Sequence, residues 1–280
     1  MTPSDATAGQ ELQLLRAELA RSQQQVAGMA AAQEEFLRAV SHDLRAPLRH
    51  VTSYGTLVRE VLGDLPPDVA QSAAVQEALR FLGTMDQSAR RMGMMIDGLL
   101  ALARAQRAPL NLQPVPLADA VVRARAALAS AEAGRAIDWH TADATRLPTL
   151  QADPALLQEL LVQLLGNALK FTRHSARPCI AVQAESDPAA AQAGQVVFTV
   201  QDNGTGFDPA RADGLFGVFH RLHRESEFEG VGAGLALCQA IAQRHGGAIT
   251  ATALPGAGCT VRVAWPGSAA VAAVAAPSRA

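Results

Sequence analysis

Apolar residues recur at alternating steps of three and four along the first part of the chain. Seven of the nine positions in this series are apolar, namely Leu12, Leu15, Leu19, Val26, Met29, Phe36 and Val40, and Ser22 and Gln33 fill the other two. A three-four repeat is typical of coiled coils. The pattern therefore predicts a coiled coil that leads into a helical hairpin. One long amphipathic helix packed on its own domain is the alternative.

The helical pattern continues past Pro47 to a turn-like segment at residues 63–68, GDLPPD. A proline inside a helix costs about 3 kcal/mol, so we expect a kink at Pro47. A second helix is predicted from about Val69 to Arg107. Two antiparallel helices bury little apolar surface by themselves, so we expect two chains to pair as a four-helix bundle.

The helical pattern ends at the proline-rich residues 109–116, which predict a domain boundary. Helices and strands alternate beyond it. The predicted helices lie near 117–132, 154–172 and 233–245, and the strands near 136–141, 179–184, 195–202, 247–253 and 259–265. Neighbouring strands follow each other in sequence, which favours a mixed or antiparallel sheet over a Rossmann-type parallel one. The fold class is therefore α+β.

These patterns divide the chain into five segments. We predict a flexible N-terminus at 1–10, a coiled coil at 11–35, a helical-hairpin domain at 36–108, an α/β domain at 109–266 and a disordered tail at 267–280.

Charge and hydropathy exclude several classes of partner. The 280 residues are 49% hydrophobic and 18% charged, with a net charge of −2, so we expect no nucleic-acid partner. No apolar run approaches the roughly 18 residues that would span a bilayer, and we expect a cytoplasmic protein with no direct membrane span. Cys179, Cys238 and Cys259 lack metal-ligand spacing and are expected to be reduced core thiols.

The segment Ser41 to Leu48, SHDLRAPL, contains the first candidate for chemistry. His42 comes two positions after the core residue Val40, so its ring is predicted to face solvent. An exposed imidazole is largely neutral near pH 7 and can act as a nucleophile. The adjacent carboxylate of Asp43 can hold one ring nitrogen protonated and direct the other at an electrophile. A lone exposed histidine is usually only solvated, so the prediction depends on the whole motif.

A second candidate is the helix that begins at Asp153-Pro154, an N-cap followed by proline. Gln163, Asn167 and Lys170 form one polar stripe on this leucine-rich helix. An amide that can coordinate Mg²⁺ and a lysine that can meet phosphate indicate a nucleotide site. A solvated helix face is the alternative.

Glycine-rich turns supply two more candidates. Asp202 ends a strand and can accept the exocyclic amine of adenine, while Gly204 and Gly206 let the backbone approach the base. A plain turn is the alternative. Three further glycines precede a helix whose N-terminus can bind phosphates: Gly230, Gly232 and Gly234.

A Rossmann interpretation of the second glycine turn fails because no strand precedes it. Residues 215–229 precede it instead, and they are predicted to form a mobile lid anchored by Phe216 and Phe219. His220 and His223 have metal-ligand spacing but no accompanying ligand, so no metal site is expected there.

In this order, the four motifs resemble those of the sensor histidine kinases, over about residues 30–266, and look most like the phytochrome-like subset. No chromophore domain is present, so we expect no light sensing. The resemblance implies a dimerisation and histidine phosphotransfer domain at 36–108. It also implies a Bergerat-type α/β sandwich at 109–266 that binds ATP and Mg²⁺. The implied ATP-binding residues are Asn167 (also the Mg²⁺ ligand), Lys170, Asp202, Gly204, Gly206, Phe216, Phe219, Gly230, Gly232 and Gly234.

The resemblance implies autophosphorylation of His42, assisted by Asp43, and phosphoryl transfer to an aspartate of a response-regulator receiver domain by a homodimer. Two other functions stay open. One is a pseudokinase scaffold that binds without turnover, and the other is a phosphotransfer hub in which another protein phosphorylates His42.

Two residues depart from the family pattern. Ala46 stands four residues after the phosphoacceptor, where many relatives have a Thr or Asn that positions a hydrolytic water, so we expect weak phosphatase activity. Gln163 stands where related ATPases have a glutamate base; an amide cannot take that proton, which disfavours bare ATP hydrolysis.

Overall fold

The computed structural model describes residues 3–107, 109–141, 147–185, 187, 189–190, 194–224 and 227–267. They divide into two compact units, Met1–Arg90 and Arg91–Ala280, and each is described by itself. The predicted tail lies outside the described residues from position 268 onward.

The first unit is built from long helices. Helix α1 spans Pro3–Gly63 and continues through Pro47, the short α2 spans Pro67–Ala70, and α3 spans Ala73–Arg107. Helix α1 thus begins before the predicted coiled coil, at Pro3, which suits the first position of a helix. Helix α3 begins later than the predicted Val69 because Ser72 caps it, its Oγ accepting from the amide of Val75 at 3.4 Å.

The side chains of the predicted coiled-coil seam lie mostly outside the described residues, including Leu12, Leu15, Leu19, Val26 and Phe36. Further along α1, large apolar side chains are exposed at spacings of seven, three, four and three. They are Leu44, Val51, Tyr54, Val58 and Val61. This row has heptad spacing, shifted by one position from the series that ends at Val40, so α1 presents an apolar face that the described residues do not cover.

The second unit contains two sheets. Strand β1 (Gln113–Pro116) pairs antiparallel with β3 (Thr149–Ala152). A five-stranded sheet has the order β2-β4-β5-β7-β6. Its strands are β2 Asp138–Thr141, β4 Cys179–Glu185, β5 Gln195–Asp202, β6 Ala248–Leu254 and β7 Gly258–Pro266. Strands β2 and β4 are parallel and the other pairs antiparallel, which confirms the predicted mixed sheet.

Helices cover one face of this sheet: α4 Leu117–Ala127, α5 Ala129–Glu132, α6 Pro154–Phe171 and α7 Gly234–Arg244. The predicted helix 117–132 is broken at Leu128. The leucines of α6 are buried against Phe198, Val263 and Trp265 of the sheet. The second unit is thus an α/β sandwich, and the chain has the predicted α+β fold.

Among the described residues, no helix combines the length and the apolar character that a membrane crossing requires.

Candidate functional site

His42 and Asp43 lie on α1 and are exposed over 85% and 81% of their side chains, as the heptad register predicted for His42. Nδ1 of His42 lies 3.2 Å from Oδ1 of Asp43. A carboxylate at this distance can accept a hydrogen bond from Nδ1–H, the tautomer that leaves the lone pair of Nε2 available. Ser41 beside them is buried and Ala46 is half-buried.

The second unit contains a cavity of about 480 Å³, within the range of small-molecule sites. It lies between α6, the end of β5, the lid segment and the start of α7. Seven of the predicted nucleotide-binding residues line it: Asn167, Lys170, Asp202, Gly206, Gly230, Gly232 and Gly234. Gly204, Phe216 and Phe219 do not line it and have other roles, described below.

Asp202 is the buried carboxylate of the cavity. Its Oδ1 accepts a hydrogen bond from the amide of Gly204 at 2.8 Å. Burial raises the pKa of Asp202 to about 6, although hydrogen bonds from the backbone of Gly204 and Cys259 act in the opposite direction. A buried carboxylate at the end of a strand is suited to accept from a ligand amine.

Two glycines after Asp202 are required by close backbone packing. Gly206 has a φ of 60°, and a Cβ on it would lie 2.0 Å from the carbonyl oxygen of Leu254. A Cβ on Gly204 would lie 2.5 Å from the carbonyl oxygen of Phe171. Gly204 therefore permits the close packing of this loop against the end of α6, and its predicted part in ATP binding stays a prediction.

Lys170 lies at the other end of the cavity and is the only lysine of the chain. Its Nζ lies 4.4 Å from the ring centroid of Phe171, and a Cβ on Gly230 would lie 3.6 Å from the same nitrogen. Burial lowers the pKa of Lys170 to about 8, the positive charges of Arg221 and Arg173 lower it too, and Glu229 opposes the shift. An anion bound beside this amine would restore the charge on the lysine.

The N-cap of α6 fixes where the helix begins and thereby positions the polar stripe along it. Oδ1 of Asp153 accepts from the amides of Ala155 and Leu156 at 3.0 and 3.1 Å, as the N-cap motif predicted. Further along the helix, Nε2 of Gln163 donates to Oε1 of Glu159 at 2.9 Å. Both side chains line the cavity together with Asn167.

Glu159 was not predicted as a site residue, although it lies four residues before Gln163 on the same helix face. Asn167 and Glu159 offer the oxygen ligands that Mg²⁺ prefers. The side-chain oxygens of this polar stripe are thus suited to hold the Mg²⁺ of a bound nucleotide.

The two phenylalanines of the lid hold its base. Phe219 has a φ of 63°, and its amide donates to the carbonyl oxygen of Gly232 at 3.0 Å. Phe216 packs against the core of the second unit. Both residues therefore hold the base of the lid, and their predicted part in ATP binding stays a prediction.

Arg221 and Phe228 hold the far end of the lid and were not predicted. The guanidinium of Arg221 donates to the carbonyl oxygens of Phe228, at 2.5 Å, and of Gly230. The buried ring of Phe228 packs edge-on against Phe171, with 5.0 Å between the ring centroids. Only the aromatic and arginine content of residues 215–229 hinted at these contacts.

The last turns of α3 form one wall of the cavity, with Met94, Asp97, Gly98 and Ala101. A Cβ on Gly98 would lie 2.6 Å from Cβ of Ala233, so glycine permits this close approach. These residues were predicted to belong to the hairpin domain that ends at residue 108, whereas the second compact unit begins at Arg91.

Two family models match the chain. A model of the His Kinase A (phospho-acceptor) domain matches residues 32–108, and a model of the histidine kinase-, DNA gyrase B- and HSP90-like ATPases matches residues 152–269. The first match contains His42, and the second contains the seven predicted residues that line the cavity.

Curated relatives agree with these matches. Cyanobacterial phytochrome A of Nostoc sp. is 31% identical over 81% of this chain and 28% of its own length. Sensor protein KdpD of Escherichia coli is 30% identical over 90% of this chain and 27% of its own length. The chain therefore spans less than a third of the length of these relatives.

Solved structures share the architecture. Full-length ShkA in complex with AMPPNP matches 83% of this chain and 45% of its own, with a TM-score of 0.56 and 25% identity. The histidine kinase AdeS of Acinetobacter baumannii matches 81% of this chain and 98% of its own, with a TM-score of 0.51. AdeS is 17% identical, so this second likeness concerns the fold alone.

Proposed function

The chain belongs to the sensor histidine kinases, and we propose that it transfers the γ-phosphoryl group of ATP to its own His42. The observation that carries this proposal is the cavity of the second unit. Its buried Asp202 suits adenine, and its Lys170 beside Gly230 suits phosphate. Autophosphorylation also needs an accessible nucleophile, and the exposed His42 supplies one.

ATP would bind with its adenine amine donating to Asp202 and its phosphates between Lys170 and the N-terminus of α7. The free amides and the dipole of that helix favour negative charge. Asn167 would hold Mg²⁺, which neutralises charge on the phosphates when it is bound. Catalysis in such transfers comes mostly from positioning and charge neutralisation.

In the proposed step, Nε2 of His42 attacks the γ-phosphorus in line and the bond from that phosphorus to the β–γ bridging oxygen breaks. ADP leaves with the electron pair, and Asp43 keeps the proton on Nδ1. The phosphoryl group then passes to an aspartate on a response-regulator receiver domain. Hydrolysis by water is disfavoured because Gln163, an amide, cannot act as a general base.

A homodimer is part of the proposal. The exposed apolar row on α1, from Leu44 to Val61, needs a covering surface, and the corresponding helix of a second chain offers a matching one. We further propose a cytoplasmic location, because the reaction consumes ATP. We also propose that phosphatase activity is weak, because Ala46 has no polar group that could position a hydrolytic water.

Labelling with ATP that carries label on its γ-phosphate tests the reaction. We expect acid-labile, base-stable label on the full chain, and its loss in His42→Ala and Asn167→Ala. His50→Ala is the matched control, since His50 is an exposed histidine on the same helix, and it should keep the label. Label that survives in His42→Ala would contradict the proposal.

The same experiment separates the two other functions. A pseudokinase scaffold would bind ATP in a titration but acquire no label. A phosphotransfer hub would acquire label on His42 only after a second kinase is added.

A further inference from the structure

Three side chains with metal-binding atoms lie together at one edge of the five-stranded sheet. Asp138 and His140 lie on the edge strand β2, and Cys179 begins the neighbouring β4, directly opposite Asp138 in the strand register. Their ligand atoms all lie within 4.8 Å of one another. Sequence spacing did not indicate this group because Cys179 lies 39 positions after His140, its nearest partner along the chain.

The alternation of side chains along the strands places all three on the face of the sheet that the helices leave open. Trp139, between Asp138 and His140, packs against the core of the second unit, and so does Ile180, which follows Cys179. Neighbouring residues of a strand point to opposite faces. Asp138 and His140 are exposed and Cys179 is half-buried, so an ion can reach the group from solvent.

The ligand atoms are a carboxylate oxygen, an imidazole nitrogen and a thiolate sulfur, a combination that suits Zn²⁺. Zinc bonds of about 2.0–2.3 Å place tetrahedral ligand atoms roughly 3.3–3.8 Å apart. Nε2 of His140 and Oδ2 of Asp138 lie 2.9 Å apart, in direct contact with each other. An ion would replace this contact: the two atoms would move apart by roughly 0.5 Å, which the exposed side chains allow by rotation, and water would supply the fourth ligand.

The backbone of Cys179 is held in place by Asn203. The amide of Cys179 donates to Oδ1 of Asn203 at 2.8 Å, and the amide of Asn203 donates to the carbonyl oxygen of Cys179 at 3.2 Å. Burial raises the pKa of the Cys179 thiol, and the negative charge of Asp138 raises it further. A divalent cation would offset the repulsion between these two ligands.

We propose that Asp138, His140 and Cys179 form a zinc-binding site that fastens the edge strand β2 to β4. Strand β2 is four residues long and, among the described strands, pairs with β4 alone, so a metal link across the pair adds a constraint that the hydrogen bonds do not supply. Binding to the folded state raises thermal stability in proportion to the logarithm of the zinc concentration. The proposal is independent of kinase activity.

Cobalt binding to the full chain tests the site, because a cobalt–thiolate bond gives a charge-transfer absorption band. We expect Co²⁺ to produce this band in the wild type and Zn²⁺ to abolish it by displacement. Cys179→Ser should lose the band, and His140→Gln and Asp138→Asn should weaken Co²⁺ binding at least about tenfold. At roughly 100 times its Kd, Zn²⁺ should raise the Tm of the wild type by about 5 °C.

Cys238→Ala is the matched control. Cys238 is fully buried in the core, so its replacement should leave the band unchanged. Circular dichroism and binding of an ATP analogue check that each variant folds. A band that persists in Cys179→Ser, unchanged Co²⁺ affinity in His140→Gln, or no Co²⁺ band in the wild type would overturn the proposal. The exposed His140 makes His140→Gln decisive even where another variant fails to fold.

Discussion

Lys170 combines two properties that make it chemically distinct. It is the only lysine of the chain, and burial beside Arg221 lowers its pKa to about 8. An amine with that pKa is substantially neutral in mildly alkaline buffer, so it is a better nucleophile than an ordinary lysine.

An amine-reactive adenosine analogue should therefore label the chain at Lys170. We expect the labelling rate to rise with pH and to level off above about pH 8, and saturating ATP should protect the amine. Peptide mapping by mass spectrometry locates the label. Lys170→Arg is the control, because it keeps a cation at the site and should leave the N-terminal amine as the sole target. Unprotected labelling in the presence of ATP would contradict the assignment of the phosphate end of the cavity.

Asp202 gives ATP binding a pH dependence. Burial raises its pKa to about 6, and the protonated acid is a weaker acceptor for the adenine amine than the carboxylate is. ATP affinity should thus fall as the pH is lowered through 6, by up to about tenfold per pH unit. Calorimetric titrations from pH 5 to pH 8 measure the profile. Asp202→Asn should bind roughly 10–100-fold more weakly at pH 7.5 and lose the acidic limb, and an unchanged limb in this variant would refute the role of Asp202.

The raised pKa of Asp202 also determines how the stability of the folded protein changes with pH. The ordinary pKa of the carboxyl is 3.8 and burial raises it, so the folded state favours the protonated form. Ionisation of Asp202 therefore lowers the stability of the unliganded protein as the pH rises through about 6.

At the scale of single residues, local motifs identified Asp202, Asn167 and Lys170, because each lies at a fixed place on one strand or helix. Arg221 and Phe228 could not be identified, since their partners come from the backbone of the lid and from the distant Phe171. Contacts of this kind depend on how the lid folds back, which no spacing in the sequence encodes.

The turn between β6 and β7 packs closely against the backbone of Asp202. Gly258 has a φ of 90°, and a Cβ on it would lie 1.9 Å from the carbonyl oxygen of Asp202. Gly256 in the same turn has a φ of 75°, but nothing lies within 4 Å of its Cβ position. Replacing Gly256 would therefore introduce backbone strain alone, whereas replacing Gly258 would introduce backbone strain and a steric clash.

Gly258→Ala should lower the stability of the second unit by clearly more than Gly256→Ala does. The control adds only the cost of a left-handed conformation, about 1–2 kcal/mol, whereas Gly258→Ala also displaces Asp202. Urea denaturation and titration with an ATP analogue measure the two effects. Equal losses of stability and unchanged ATP affinity in both variants would show that the close approach at Gly258 has no consequence.

At the scale of elements, strong local signals predicted the long ones. Helix α6 was predicted nearly to its ends because Asp153-Pro154 caps it and its leucines recur with helical period. Strands β1 and β3 were missed because each has four residues and β1 contains Pro114 and Pro116, which argue against a strand. Their pairing is a tertiary effect, since β1 and β3 lie more than 30 residues apart.

At the scale of the whole molecule, the exposed apolar row on α1 predicts a dimer. Val61→Glu should weaken dimerisation at least about tenfold, because a charge in an apolar seam must be desolvated. Light scattering coupled to size exclusion measures the change. Val122→Glu is the matched control, because Val61 and Val122 are exposed to similar extents, 64% and 66%, but Val122 lies on α4 of the other unit. A monomeric wild type, or equal effects of both variants, would contradict a dimer through α1.

The division into a helical unit and an α/β unit was predictable, because the proline-rich residues 109–116 interrupt the helical period. The boundary at Arg91 was not, since α3 runs unbroken from Ala73 to Arg107. The small residues Gly98 and Ala101 let its last turns form a wall of the cavity, and a helical pattern alone does not reveal which domain such a face contacts.

The central claim is that His42 accepts the γ-phosphoryl group of ATP. Mass-spectrometric mapping of the full chain after incubation with Mg²⁺ and ATP, with digestion kept alkaline to preserve phosphohistidine, tests it most directly. We predict one phosphoryl group, located on His42 and absent when Asn167 is replaced by alanine. A phosphoryl group on His50 or on any other residue, or a chain that stays unmodified as a dimer saturated with ATP, would contradict the account.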